Sequence, residues 1–332
     1  MYPSVSIIIP TRNSGTTVLK CIQSIVKQKY PIKEMIVVDN KSSDKSVDIV
    51  KKFSKTSKIP ITLIQRKQNM GVGSSYNAGV KKANANYVIF LHSDSCPATT
   101  TEMTKLVKPL LENSGVIASY PTAVVPKSVW ETYNFWQKYR FTRLLGKEVG
   151  FNGKFDCIRR DAFIKIGGFD EQRFARDEAI GGEDADLFLR LKKHGDLVHS
   201  NAEVIHYHYL GSHYTLKDHF KTRKMLARTY GRLLRVQGRS LPLSSKGKGL
   251  QIPLGSLLFL VKPSLAILPF LPHLHLIGIL LMILYAFLNA KTLYISRSTL
   301  VNPRIILLPF IDILLVYYET FWMIQAFIFT KK

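Results

Sequence analysis

Acidic residues are scarce in this chain. Its 332 residues carry 23 Asp and Glu against 47 Lys and Arg, a formal net charge of +24. Cysteine is scarcer still: Cys21, Cys96 and Cys157 show no CxxC spacing. That excludes a zinc ribbon or a disulfide framework and leaves reduced, structural thiols. An early long apolar run is also missing. Residues 5–9 (VSIII) stop at Pro10, too short for a signal sequence. They read as a buried first strand, and the domain they open is expected to stay in the cytosol. There is no internal repeat and no low-complexity linker. No nucleic-acid-binding motif accompanies the positive charge, so a nucleic-acid partner is not expected.

The hydrophobic residues, 46% of the chain, are unevenly spread. Up to about Lys248 the pattern is that of a soluble α/β protein; beyond Ile252 it turns to long apolar runs. A bilayer span needs roughly 17–25 mostly apolar residues. Ile252–Pro272, Leu274–Ala290 and Ile305–Phe329 all fit, so two or three hydrophobic helices and a multi-pass cell-membrane protein are expected. The short His273–His275 connection suits the outer side, and Lys291, Arg297 and Arg304 suit a cytosolic loop. The last segment carries Asp312 and Glu319 near one face, and either spans or lies at the cytosolic interface.

Positive charge gathers just before these runs. Between Lys217 and Lys248 there are ten Lys or Arg against one Asp. Lys217, Lys221, Lys224, Arg228, Arg232, Arg235 and Arg239 recur every three or four residues, so a helix carries them as one stripe. A solvated face is one reading. Next to membrane spans, anionic lipid headgroups explain the stripe better, at about 1 kcal/mol per basic side chain.

The first ~120 residues alternate short β-branched runs with amphipathic stretches, the pattern of βαβ units and a mostly parallel sheet. Strands are expected at Val5–Ile9, Glu34–Val38, Ile61–Gln65 and Tyr87–Leu91. Helices are expected at Thr17–Lys27, Ser46–Ser54, Ser74–Ala83 and, later, Glu183–His194. Polar turns follow three strands, at 11–13, 39–44 and 92–95. Ligands of open α/β sheets bind at the carboxyl ends of strands, so three such loops predict one nucleotide site.

VSIIIPTRN, VVDNKSSD, NMGVGSSYNAG, the strand running into Ser93-Asp94, GGFDE and GGEDADLFLRL occur here in one order. Six such motifs in sequence resemble the inverting family 2 glycosyltransferases of the GT-A fold, over roughly residues 3–215. The resemblance implies a Rossmann-like mixed α/β sheet that binds a nucleotide-diphosphate sugar. It divides the chain into a catalytic domain over 1–215, a basic membrane-surface helix and linker over 216–250, and a membrane region over 251–332.

The resemblance also assigns roles. Asp39 and Thr11 line the pocket of the base, whose N–H groups a carboxylate accepts. Asp44 either joins that pocket or caps a helix, and Asn40 stands where a second Asp is common. Asn69, Gly71 and Asn77 belong to the donor-binding segment, where glycines admit a ligand to a helix N-terminus. Ser93 and Asp94 occupy the Asp-x-Asp position, with His92 in place of the first carboxylate. Asp94 is the implied ligand of a divalent cation, manganese or magnesium, that offsets charge on the leaving diphosphate. His206 or His208, on one face of a strand, completes the metal shell. Asp184, beside Glu183 at a helix start, is the implied base that deprotonates an acceptor hydroxyl; ordinary helix-end acidity is the bland alternative.

The activity so implied is inverting transfer to a hydroxyl of a lipid-linked glycan or glycolipid. Two alternatives stay open: a polyprenyl-phosphate sugar synthase, and a membrane-anchored nucleotide-sugar-binding protein without catalysis.

Overall fold

The computed structural model describes residues 2–142, 145–174, 182–208, 213–237 and 262–330. The chain forms two compact units. Met1–Val124 with Lys147–Tyr209 makes the first, and Val125–Gly146 with Leu210–Lys332 the second.

The first unit is a mixed sheet with helices on both faces. Strands β1 (Val5–Thr11), β2 (Ile32–Asp39), β3 (Ile61–Gln65) and β4 (Tyr87–Leu91) run parallel. The sheet continues through β5 (Ser95–Pro97), β6 (Val116–Val125), β7 (Gly146–Val149), β8 (Phe155–Arg159) and β9 (Asp196–His206), in the order β3-β2-β1-β4-β8-β6-β9-β5, with β7 beside β6. β8 is antiparallel to both β4 and β6, which makes the sheet mixed. Successive side chains of a strand point to opposite faces. Accordingly Ile7, Ile9, Met35, Val37, Ile89 and Leu91 enter one core, and Ile8, Ile36, Val38, Val88 and Phe90 enter the other.

Helices with apolar residues at i, i+3, i+4 and i+7 cover each core. α1 (Val18–Val26), α2 (Ser46–Ser54) and α4 (Glu102–Glu112) cover the first core. α1 buries Val18, Cys21, Ile22 and Ile25 there. α3 (Val72–Lys82), α7 (Arg160–Lys165) and α8 (Gly182–Lys192) cover the second. Gly79 lets α3 sit against β1, since a Cβ there would lie 2.3 Å from Ile8 Cγ2. The expected elements occur, with β1 and β2 reaching Thr11 and Asp39 and α3 starting two residues early.

The second unit is helical. It contains α5 (Lys127–Glu131), α6 (Phe135–Phe141) and α9 (Leu216–Gln237), followed by helices His275–Ile295 and Leu308–Phe329. Its boundaries differ from the expected division because residues 125–146 pack with the tail. Trp130, Phe135, Tyr139 and Phe141 share a core with Leu293, Leu308, Ile311 and Leu315. Residues 252–261 of the first expected span, Ile252–Pro272, lie outside the described residues, as do Arg239 and the rest of the basic segment to Lys248. Among the described residues one helix, Pro303–Phe329, is long and apolar enough to cross a membrane; His275–Lys291 is a shorter apolar stretch.

α9 forms the expected basic helix, and part of its stripe packs against protein. It packs along the Leu308–Phe329 helix, with Gly231 against the Met323 carbonyl and Leu226, Tyr230 and Leu234 beside Met323 and Trp322. Its cations are drawn in: Lys224 Nζ lies 3.6 Å from the centre of the Trp322 ring. Arg223 Nε donates to Glu319 at 2.5 Å, and Lys262 pairs with the same carboxylate. Apolar and cationic residues interleave on α9, so the partner helix can satisfy both by carrying aromatic rings and one buried acid.

Candidate active site

The parallel strands end side by side, with Thr11 opposite Asp39 and Asp39 opposite Gln65. Asp39 is buried; its Oδ2 accepts the Ser42 N–H at 3.2 Å, while Oδ1 has no hydrogen-bond partner among the described residues. An orphaned carboxylate oxygen costs free energy, so it marks a place for a donor from outside the chain. Thr11 is buried next to it.

Three loops are tied together here. Asn13, in the left-handed region at φ 49°, accepts the Ser43 N–H at 2.8 Å. Ser14 N–H donates to Ser46 Oγ at 2.7 Å, and the Ser14 and Ser93 hydroxyls lie 2.8 Å apart. Asp44 belongs to this lacing. Its carboxylate accepts the Gly15 N–H at 2.8 Å and the Ser46 N–H at 3.0 Å. Helix α2 begins at Ser46 with Lys45 in the cap position, so Asp44, which is exposed, is not its formal cap. Asn40, buried, donates to Asn69 Oδ1 at 2.5 Å and to the Gly71 carbonyl at 3.2 Å, and accepts the Met70 N–H at 2.9 Å. It shapes the Asn69–Gly71 loop, whose Gly71 takes φ 83° just before α3.

Asn77 stands apart from that loop. Its amide oxygen accepts the Phe169 N–H at 2.8 Å, and its nitrogen donates to the Phe169 carbonyl and to Glu171. Ser74 also donates to Glu171, at 2.7 Å. Asn77 therefore clamps the 167–171 turn. The amide side chain matches the turn's backbone donor and acceptor at once.

β5 pairs antiparallel with β9, placing Ser95 opposite His206, and the Tyr207 N–H donates to the Asp94 carbonyl at 3.0 Å. This pairing brings His206 Nε2 to 3.2 Å from Asp94 Oδ1. His92 completes the group: one ligand atom each from His92, Asp94 and His206 lie within 4.8 Å of one another. His208 lies against the His206 ring, with centroids 3.6 Å apart, and outside that cluster. Burial pushes the Asp94 carboxyl up, but the charge and hydrogen bond of His206, with His92, outweigh it and hold the group below its usual range. Burial pushes His92 down to about 4; Asp94 pulls the other way, and His206 and Lys154 add to the fall. His92 is thus neutral near pH 7, with a lone pair to offer. His206 Nδ1 is buried without a partner among the described residues. Two imidazoles and a carboxylate fit a divalent cation.

The Tyr76 hydroxyl donates to the Gly153 carbonyl at 2.7 Å. Burial raises that hydroxyl, and the charges of Asp184, Asp156 and Asp94 raise it further. A Cβ on Gly153 would lie 3.2 Å from His92 Nε2 and 3.3 Å from the Tyr76 hydroxyl, so this turn borders the cation cluster. Asp184 opens α8; burial raises its carboxyl well above the usual range, and Glu183 and Asp156 add to this against Lys154. Glu183 is buried beside it. Asp186, two residues on, is paired with Arg190 at 2.7 Å.

Asp156 is a residue that sequence reasoning missed. It is fully buried on β8 opposite Phe90, and its Oδ2 accepts the N–H groups of Asn152 and Gly153 while Oδ1 has no partner among the described residues. Burial drives it from 3.8 up to about 7, against those hydrogen bonds and Lys154. The signal available was an acid inside the apolar run FDCI, which a buried strand does not carry without a reason.

Residues 6–167 match the profile of glycosyl transferase family 2. The match spans just under half of the chain, and the mixed sheet is that of GT-A glycosyltransferases. Over 233 residues the chain is 24% identical to the dolichyl N-acetyl-alpha-D-glucosaminyl phosphate 3-beta-D-2,3-diacetamido-2,3-dideoxy-beta-D-glucuronosyltransferase of Methanococcus voltae, covering 63% of this chain and 67% of the relative. It is 34% identical over 92 residues to the poly(ribitol-phosphate) beta-glucosyltransferase of Bacillus spizizenii, covering 27% of this chain but only 14% of that protein. Among solved structures, the mannosyltransferase PcManGT from Pyrobaculum calidifontis, in complex with GDP-Man and Mn2+, shares the fold. Its TM-score is 0.55 at 18% identity, over 98% of this chain and 85% of that one.

Proposed function

We propose that this chain is an inverting, metal-dependent glycosyltransferase that moves a sugar from a nucleotide-diphosphate sugar to a hydroxyl of a lipid-linked glycan or glycolipid. The observation that carries the reading is the cation site that Asp94, His92 and His206 offer beside the Gly153 turn, to which Asp184 at the start of α8 adds a proton acceptor. Asp39 Oδ1 and Thr11 receive the base at the ends of β1 and β2. His92, Asp94 and His206 would hold the cation, and their two nitrogens favour manganese over magnesium, whose preference is for oxygen. When bound, the cation neutralises charge on the diphosphate.

Asp184 takes the proton of the acceptor hydroxyl as that oxygen attacks the anomeric carbon, and a single displacement inverts the centre. Its raised carboxyl is a stronger base than an exposed Asp, closer in proton affinity to its task. The surroundings of Asp184 favour a neutral acceptor over a phosphate. Glu183, Asp156 and Glu148 are negative there, with Lys154 as the opposing charge. This weighs against the polyprenyl-phosphate synthase reading. The name of the Methanococcus relative includes a dolichyl-phosphate-linked sugar, which supports a lipid-linked acceptor.

Attachment to the cytosolic face of a membrane, through the C-terminal apolar helix, would bring the site to such an acceptor. The role would lie in cell-surface glycan or glycoprotein assembly. A panel of nucleotide sugars, tested for thermal stabilisation and for hydrolysis or transfer with and without manganese, examines the whole reading. Manganese-dependent turnover with an inverted product is expected; donor binding without turnover would leave the non-catalytic alternative standing.

A further inference from the structure

The Leu308–Phe329 helix has two faces along its whole length. Ile311, Leu315, Glu319, Met323 and Ala326 are buried, and Leu307, Phe310, Leu314, Phe321, Ile324 and Ile328 are exposed. The exposed set recurs every three, four or seven residues, a single stripe about 33 Å long over 22 residues. The neighbouring His275–Ile295 helix exposes Leu276, Leu280, Leu284 and Phe287 as well. Soluble monomers do not expose apolar surface on this scale.

The opposite face is covered by protein: up to Val316 mainly by an apolar and aromatic core with Trp130, Phe135, Leu293 and Met282, and beyond it by cationic side chains. Tyr139 of α6 donates to Asp312 at 2.7 Å. From Glu319 onward α9 takes over, through Arg223, through Lys224 on Trp322, and through Arg235, which lies over Phe327 and donates to the Thr330 carbonyl at 3.4 Å. A crossing helix meets water at its two ends; this one meets the polar side along one face. Were it to cross, α9 would carry Lys224, Arg228 and Arg235 into hydrocarbon at about 2.5–3.5 kcal/mol each. The stretch between Arg304 and Glu319, which the cations of α9 leave free, is only about 23 Å, short of the roughly 30 Å hydrocarbon core. The same holds between His275 and Lys291, at about 24 Å.

We infer that the helical unit is a monotopic platform: the Leu308–Phe329 helix lies in the plane of a bilayer, its exposed stripe in the acyl layer and α9 at the level of anionic headgroups, without crossing. The occupant of the stripe is lipid because the cations of α9 lie on the face opposite the apolar one, the charge order of a membrane surface. This replaces the several crossings expected from hydropathy. It rests on membrane attachment and is independent of the transfer reaction.

The test uses the full chain in inverted membrane vesicles from expressing cells. Single cysteines are placed at Lys55, at Ser298, and after Lys332, and are probed with a membrane-impermeant maleimide. The native Cys21, Cys96 and Cys157 are buried, and the unmodified chain reports their background. Equal labelling of all three sites without detergent is expected. Labelling of Ser298→Cys or of the C-terminal cysteine only after detergent overturns the in-plane arrangement.

In parallel, Leu314→Lys with Phe321→Lys should weaken flotation of the purified chain with anionic vesicles at least tenfold and leave its thermal unfolding unchanged. Unchanged flotation with loss of a dimer in detergent would assign the stripe to a second copy and overturn the lipid reading. No flotation of the unmodified chain would refute attachment itself.

Discussion

Asp156→Asn isolates the cost of a buried acid next to the proposed base. The carboxyl is fully buried and moves from 3.8 to about 7 on folding. A shift of about 3 units corresponds to about 4 kcal/mol. The sign follows from proton binding: the folded chain holds this proton more tightly than the unfolded chain, so the contribution is complete below pH 4 and is lost as pH rises through 7. About 2.5 kcal/mol of the loss falls between pH 5 and 8. For a domain of this size that is roughly 5–10 °C in Tm. Asn keeps the acceptor for Asn152 and Gly153 and cannot titrate. Melting curves of both proteins, recorded by intrinsic fluorescence with chelator present, should therefore diverge as pH rises, the native chain falling and the variant holding. Taking the difference cancels groups the two share. Parallel Tm profiles across pH 5–8 would refute the buried-acid reasoning. Relief of the repulsion on Asp184 should also move the acid limb of kcat/KM to lower pH.

Asp184→Asn should lose about 10²–10⁴ in turnover while donor affinity stays within a few-fold, as measured by single-turnover rates and donor titration; Glu183→Gln should lose less. Retained anomeric configuration in the native product, read by NMR coupling constants, would exclude the single-displacement role. His92→Ala should raise the manganese concentration for half-maximal activity by at least 10–100-fold, the range typical of altered metal surroundings. An unchanged manganese dependence would remove His92 from the cation site. Asn40→Ala strands the Met70 N–H and frees the Asn69–Gly71 loop, a loss of about 1–3 kcal/mol. Donor KM should rise about tenfold or more at nearly constant kcat; an unchanged KM would show that the loop holds its shape without Asn40.

Much of the catalytic unit's frame was legible because it is local. The segments 5–9, 34–38 and 87–91 are short, nearly continuous apolar runs of the kind a strand buried on both faces carries, and each stops where polar residues begin, so Thr11, Asp39 and Asp94 could be placed at strand ends without coordinates. Apolar spacing in α1 and the glycines before α3 are similarly readable, since a helix buries a face fixed by 3.6 residues per turn.

Other features depend on contacts between distant parts of the chain. His92 reads as a missing carboxylate in the sequence; only the β5–β9 pairing, more than a hundred residues apart, brings His206 within reach of Asp94 and makes His92 the third donor. Asn40 and Asn77 are polar residues in a donor-binding pattern, yet their amides are used on loops at 69–71 and 167–171, and hydrogen-bond partners carry no sequence signature. Asp156 is an anomaly within a strand until α8 sets Asp184 near it.

The same division holds in the tail. Hydropathy identified apolar helices because transfer free energy sums along a segment. Whether such a helix crosses a bilayer or lies in it depends on what covers its sides. The sequence of α9 specifies a basic stripe, but its cations rest on Trp322, Phe327 and Glu319 because another helix offers rings and an acid at matching spacing. Composition along one helix determines how apolar it is; packing against a second determines which face remains for lipid.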